Sequence, residues 1–216
     1  VLDVVDAAAD DLAAGAVADP EVEATVRTAL GATYLGLGRL DEAERHLRRG
    51  FEIRRSRLGP RHPETADSLV NLGWLAFTRD DAASAEQLLG EGLAIYRATL
   101  DEHDPRIAST LHDIGLVLTH LGRLDEAEGT YRESLRLSEA SSQVDVVAVA
   151  LTRSRLGSLL ATRGQASEAE RLQRQALEVL APTPDRAHVR AVEAMVGLAP
   201  VLQQLGRATE AVTLAE

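Results

Sequence analysis

The sequence predicts an all-α fold, an α-solenoid of stacked antiparallel helix pairs, on three observations. Leu30-Gly31, Leu72-Gly73, Ile114-Gly115 and Leu156-Gly157 recur every 42 residues, and Leu198-Ala199 closes the series. Other columns keep the same register: Ala43, Ala85, Ala127, Ala169 and Ala211 share one, and Gly38, Asp80, Gly122, Gly164 and Gly206 share another. Finally, Ala and Leu dominate while aromatic residues make up only 3% of the chain, which favours close-packed helices over a sheet. A period of this length marks stacked supersecondary units whose surfaces usually bind partners.

The 216 residues with 45% apolar content suffice for one elongated domain, residues 1–216. Full units are expected near 22–62, 63–104, 105–146 and 147–188, with partial units at 1–18 and 189–216. Residues 1–14 read as the second helix of a preceding unit. In the first full unit, Leu30, Tyr34 and Leu37 mark one face of a helix near 22–37, and Gly38 suits the left-handed residue after its end. Asp41 and Glu44 have capping-box-like spacing, repeated by Asp125 with Glu128 and Ser167 with Glu170, and start the second helix near 41–58. Its apolar positions are Ala43, Leu47, Phe51 and Ile53, and the small alanine lets the pair approach closely.

Later units follow the same plan. Helices are expected near 64–78 and 83–99, 106–121 and 125–139, 145–163 and 167–180, then 186–205 and 208–216. The joints Gly59-Pro60-Arg61-His62-Pro63 and His103-Asp104-Pro105 end one unit and start the next, with proline tolerated in the first turn. The joint Ser141-Ser142-Gln143 lacks proline, and Ala181-Pro182-Thr183-Pro184 shifts it upstream. Pro200 lies inside the last first-helix, where it should kink or shorten it.

Composition excludes several function classes. No cysteine means no disulfide, thiolate metal site or cysteine nucleophile. No apolar run suggests a membrane span and no leader precedes the repeats, so a cytoplasmic location is expected. A formal charge of −11 argues against nucleic-acid binding. The cluster Arg48, Arg49, Arg54, Arg55 and Arg57 reads as a solvated helix face paired with acids. His112 and His120, about 12 Å apart on one helix, cannot share a metal, and His112 with Asp113 lacks a third ligand. His62 and His103 are expected in turn and capping roles. Phosphate-loop and kinase signatures are absent, so no catalytic residue, metal or cofactor is expected and the chain is read as a non-enzyme.

Leu30-Gly31-x-x-Tyr34 followed by Ala43-x-x-x-Leu47 resembles the tetratricopeptide pattern, with Leu69 and Leu111 replacing its usual tryptophan. The longer unit and the joint Leu58-Gly59-x-x-His62-Pro63 are similar to the kinesin light chain class of these repeats. Segment 19–74 is also similar to arrays downstream of bacterial serine/threonine kinase domains. The resemblance implies a right-handed solenoid whose first helices line a concave groove that holds an extended peptide or partner domain. By matching position, groove candidates are Asn71, Trp74, Phe77, His112, Asp113, Leu116 and Arg155. Asn71 matches the groove asparagine whose amide holds peptide backbone, while Trp74 and Phe77 are either an apolar anchor or packing. Asp113 and Arg155 are either ligand contacts or an ion pair across units.

Two other roles stay open. The chain ends inside expected helices, which reads as a fragment of a larger protein, such as the regulatory part of a signalling enzyme. Alternatively, apolar ends at Leu2, Val5, Val212 and Leu214 would let arrays self-associate.

Overall fold

In the computed structural model, which describes residues 2–181, 186–207, 209 and 210, every regular element is an α-helix. The chain divides into two compact units, Val1–Asp101 and Glu102–Glu216. The first holds α1 (Leu2–Ala13), α2 (Pro20–Gly36), α3 (Leu40–Arg57), α4 (Pro63–Thr78) and α5 (Ala82–Thr99). The second holds α6 (Pro105–His120), α7 (Leu124–Ala140), α8 (Val146–Thr162), α9 (Ala166–Leu180) and α10 (Arg186–Gln204). Within each unit, chain neighbours pair: α2 with α3, α4 with α5, α6 with α7, α8 with α9. Successive first helices also touch, α2 with α4, and α6 with α8 and α8 with α10. The joint at Pro182 and Pro184 and the expected helix 208–216, with Val212 and Leu214, lie outside the described residues.

The repeating leucine-glycine step has a steric cause. Each glycine faces a large side chain four residues after the repeating alanine of the partner helix. An added Cβ would lie 2.6 Å from Leu47 Cγ at Gly31, 2.9 Å from Leu89 Cγ at Gly73 and 2.5 Å from Tyr131 Cε1 at Gly115. At Gly157 the facing residue is Gln173, at 3.0 Å. Helix pairs pack this closely because the interface has small residues on both sides; Ala43, Ala85, Ala127 and Ala169 have no exposed surface.

Gln173, where leucine or tyrosine stands in the other pairs, is fully buried and fully used. Its Nε2 donates to Ser154 O (3.0 Å) and Ser158 Oγ (2.9 Å), and its Oε1 accepts from Ser154 Oγ at 3.1 Å. All three partners come from α8, so the amide is satisfied within one pair.

Turns between paired helices follow the glycine column. Gly38, Gly122, Gly164 and Gly206 adopt φ of 73°, 74°, 75° and 75°, and Asp80 takes the same left-handed conformation at φ 64°. The proline joints also behave as expected. His62 Nδ1 accepts from Glu64 N at 3.2 Å ahead of Pro63, and Asp104 and Asp19 cap α6 and α2 ahead of Pro105 and Pro20. Helix α10 continues through Pro200 to Gln204, so the proline does not end it.

The capping boxes do not form. Helices α3, α7 and α9 begin one residue earlier, and their caps, Arg39, Arg123 and Gln165, make no side-chain capping bond. The acids inside the first turn bind arginines of the next pair instead. Arg79 reaches Asp41 at 2.7 Å and also Glu44, while Arg163 reaches Asp125 at 2.5 Å and Glu128 at 2.6 Å. Arg207 bonds Glu170 at 2.5 Å, and Arg174 bonds Glu210 at 2.5 Å. The chain contains no lysine, so each cation is a planar fork able to span two carboxylates.

The arginine cluster of α3 is mixed. Arg48 pairs with Glu44 at 2.6 Å on the surface, and Arg55 sits over the Phe51 ring. Arg54 is not solvated as expected: it is buried, donates to Ser68 Oγ at 3.0 Å and pairs with Glu64 at 3.5 Å. Leu2 is exposed, whereas Val5 packs on the first unit's core with Leu12 and Tyr34.

Candidate functional site

The seven groove candidates fall on first helices: Asn71, Trp74 and Phe77 on α4, His112, Asp113 and Leu116 on α6, and Arg155 on α8. On α4 all three are partly exposed. Trp74 and Phe77 meet edge to face, with ring centroids 5.7 Å apart, as their three-residue spacing on one helix allows. Asn71 Nδ2 donates to Asp67 O of its own helix at 3.0 Å, which leaves the amide oxygen as the acceptor turned from that bond.

In the second unit, His112 and Asp113 line a pocket of about 260 Å³ bounded by α6, the end of α7, the proline-free joint and the start of α8. Its floor and walls are largely apolar, formed by Pro105, Ala108, Leu137, Ala148 and Leu151. The polar wall is ordered. Thr152 Oγ1 lies 3.0 Å from Ala148 O and 2.9 Å from His112 Nδ1, so one hydroxyl ties the imidazole to the backbone of α8. His112 also lies edge-on to Tyr131, 5.8 Å between centroids. Burial pushes the Tyr131 phenol up from its usual range, opposed first by the hydrogen bond with Thr119 and then by the charge of Arg155, while Asp113 reinforces the shift. Leu116 packs on the second unit's core, and Arg155 is exposed.

Matching positions thus selects two pocket residues and passes over the rest. The signal for the pocket was present in the register as a serine, Ser138, where the equivalent positions carry large side chains. Among the described residues no group of three or more His, Asp or Glu is arranged to hold a metal, and no helix is long and apolar enough to cross a membrane.

The profile of the tetratricopeptide repeat family matches residues 22–98, 85–140 and 106–181. The chain belongs to the tetratricopeptide repeat family. No curated protein matches it significantly. Among solved structures, the tetratricopeptide fold is shared with the nearly identical TPR-like repeats of a Podosopora anserina kinesin light chain, with TM-score 0.73 and 21% identity over 92% of this chain and 94% of that one. It is also shared with BtubC (BKLC) from P. vanneervenii, with TM-score 0.81 and 17% identity over 97% and 86%. A third neighbour is NprR in complex with its cognate peptide NprX, with TM-score 0.66 and 20% identity over 91% of this chain and 54% of NprR. The 42-residue units of this chain thus share their fold with the TPR-like repeats of a kinesin light chain.

Proposed function

We propose that this chain is a non-catalytic binding module that holds an extended peptide or a partner domain along the first helices of its pairs. Asn71, Trp74 and Phe77 serve in the first unit, and His112, Asp113, Leu116 and Arg155 in the second. The observation that carries this reading is the partly exposed Trp74–Phe77 edge beside the Asn71 amide, an apolar anchor next to a backbone-reading group. NprR, whose structure contains a peptide, supports it by likeness of fold. The module works without cofactor, nucleic acid or membrane, in the cytoplasm.

The test is selection of peptides from a random phage-displayed library on the full chain, followed by affinity measurement on variants. Asn71→Ala with Trp74→Ala should lower affinity for selected peptides at least tenfold while helicity by circular dichroism stays the same. Unchanged affinity removes these residues from the site.

A second reading, a sensory segment of a larger signalling protein such as a kinase or nucleotide-switch regulator, draws on the NprR likeness, since this chain spans about half of that protein. Sequencing the surrounding reading frame tests it: a frame without a kinase or nucleotide-binding motif ends that reading.

A further inference from the structure

The pocket of the second unit arises from one small residue in a column of large ones. Counting by 42, Arg54, Tyr96, Ser138 and Leu180 occupy equivalent places near the ends of α3, α5, α7 and α9. Three of the four are buried and fill their own space. Arg54 is 8% exposed, Tyr96 2% and Leu180 0%. Leu180 does so among Ala150, Ala176 and Ala194. Ser138 alone is short, and the pocket of about 260 Å³ opens beside it.

The register also says what chemistry would fill it. In the first unit the Tyr96 hydroxyl donates to Asp67 of α4, while in the second unit Ser138 and Ser109 stand at the places of that tyrosine and aspartate. Both line the pocket, and together they leave the volume of a phenol ring. Arg54 shows the other solution, a guanidinium held by Glu64 and Ser68. That solution has no counterpart here: Ala148 stands where Glu64 does, and Thr152, in the place of Ser68, is already bonded to His112. The interior suits a ring. The wall is formally negative, with Asp113 and Asp145 against Arg106, whose guanidinium is held by Asp104 through two 3.0 Å bonds.

We propose that this pocket receives a phenyl or phenol side chain from a peptide partner, with a basic group flanking the ring. The ring replaces, from outside, the side chain that the repeat supplies for itself elsewhere. This rests on the binding role proposed above and names one of its subsites.

The test uses the full chain, methyl-labelled for nuclear magnetic resonance, with tyramine, 4-hydroxyphenylacetate and propylguanidine as probes. Tyramine should move the Leu137 and Leu151 methyl resonances saturably and upfield, the mark of a ring above them. 4-Hydroxyphenylacetate should bind at least fivefold more weakly. Ser138→Tyr and Ser138→Leu, which copy the residues found at the equivalent positions, should abolish both shifts with helicity unchanged. No saturable shift, equal tyramine binding in both Ser138 variants, or tighter binding of propylguanidine overturns the proposal; equal binding of the two phenols overturns the basic flank.

Library selection separates this subsite from the role it serves. Peptides selected on the unaltered chain should be enriched in Tyr or Phe next to Arg or Lys, and the Ser138 variants should lose that enrichment. Peptides that bind but carry no aromatic bias overturn the subsite while the binding role stands. Failure to select any peptide overturns the binding role, and tyramine shifts then report a pocket for small phenols instead of a peptide subsite.

Discussion

The ring of Tyr131 lies on the bare backbone of Gly115, so close that a single added carbon would come within 2.8 Å of three ring atoms: 2.5 Å from Cε1, 2.7 Å from Cδ1 and 2.8 Å from Cζ. Tyr131 is 1% exposed and α7 cannot retreat without opening the pair. Gly115→Ala should therefore destabilise the chain by about 1–3 kcal/mol through overpacking. Gly129, on the exposed side of the same α7, meets nothing within 4 Å. Gly129→Ala should stabilise by about 0.5–1 kcal/mol from helix propensity alone. Urea unfolding of both variants checks the pair of signs, and a stabilising Gly115→Ala would remove close approach as the reason for the glycine column.

Asp80 carries the strain that glycine relieves elsewhere. At φ 64° it sits where Gly38 and Gly122 sit at 73° and 74°. A side chain in this region costs about 1 kcal/mol, somewhat less for aspartate. Asp80→Gly should raise the urea midpoint and Gly122→Ala should lower it by an amount corresponding to about 1 kcal/mol. Equal midpoints for all three proteins would show that these turns adapt without strain.

His46 gives the chain an acid sensitivity. Its ring stacks on Tyr34 with centroids 5.5 Å apart, and Nδ1 is shielded from solvent without a hydrogen-bond partner. Burial, then the charges of Arg27 and Arg45, hold its pKa below the ordinary 6.5. A depressed histidine pKa means that folding favours the neutral ring, so its contribution is complete above about pH 6.5 and fades as pH falls through the lower folded value. Glu44, Glu126 and Glu210 are also held below their usual range by arginine partners, but their contributions fade only in the more acidic carboxylate range. Melting temperatures between pH 7 and pH 5 should thus fall less steeply in His46→Gln than in the unaltered chain; parallel slopes would assign the loss elsewhere.

At high pH the direction reverses. Burial first, and then the bond to Asp6 at 2.7 Å, push the Tyr34 phenol up to about 12. Its contribution is complete below about pH 10 and is lost as pH rises toward 12. Tyr34→Phe should lose less melting temperature than the unaltered chain between pH 9 and pH 11, as read by calorimetry.

Periodicity made the helices legible because small residues must recur wherever two helices close on each other. Gly31, Gly73, Gly115 and Gly157 mark that contact directly, and among the described residues the expected helix limits agree with the structure to within one or two residues. The capping boxes at Asp41 and Asp125 fail for a physical reason: an acid in the first helical turn looks like a cap, and only the neighbouring pair reveals that Asp41 and Asp125 answer Arg79 and Arg163. Arg54 reads as a surface residue in the sequence because charge dominates its appearance, yet Ser68 and Glu64 let it be buried. The pocket was hardest to read. It is made by what Ser138 lacks, and an absence shows only when its column is compared with Arg54, Tyr96 and Leu180.

Gln173 limits how this architecture could be rearranged. Its buried amide finds donors and acceptors only on Ser154 and Ser158. Transplanting α9 opposite α4, where Val70 and Trp74 stand at the places of Ser154 and Ser158, would leave that amide without its side-chain partners, at a cost of about 1–3 kcal/mol. The hairpins share a common length and outline yet are not interchangeable bricks, so shuffled or circularly reordered versions of the chain should assemble poorly wherever this one hairpin is split.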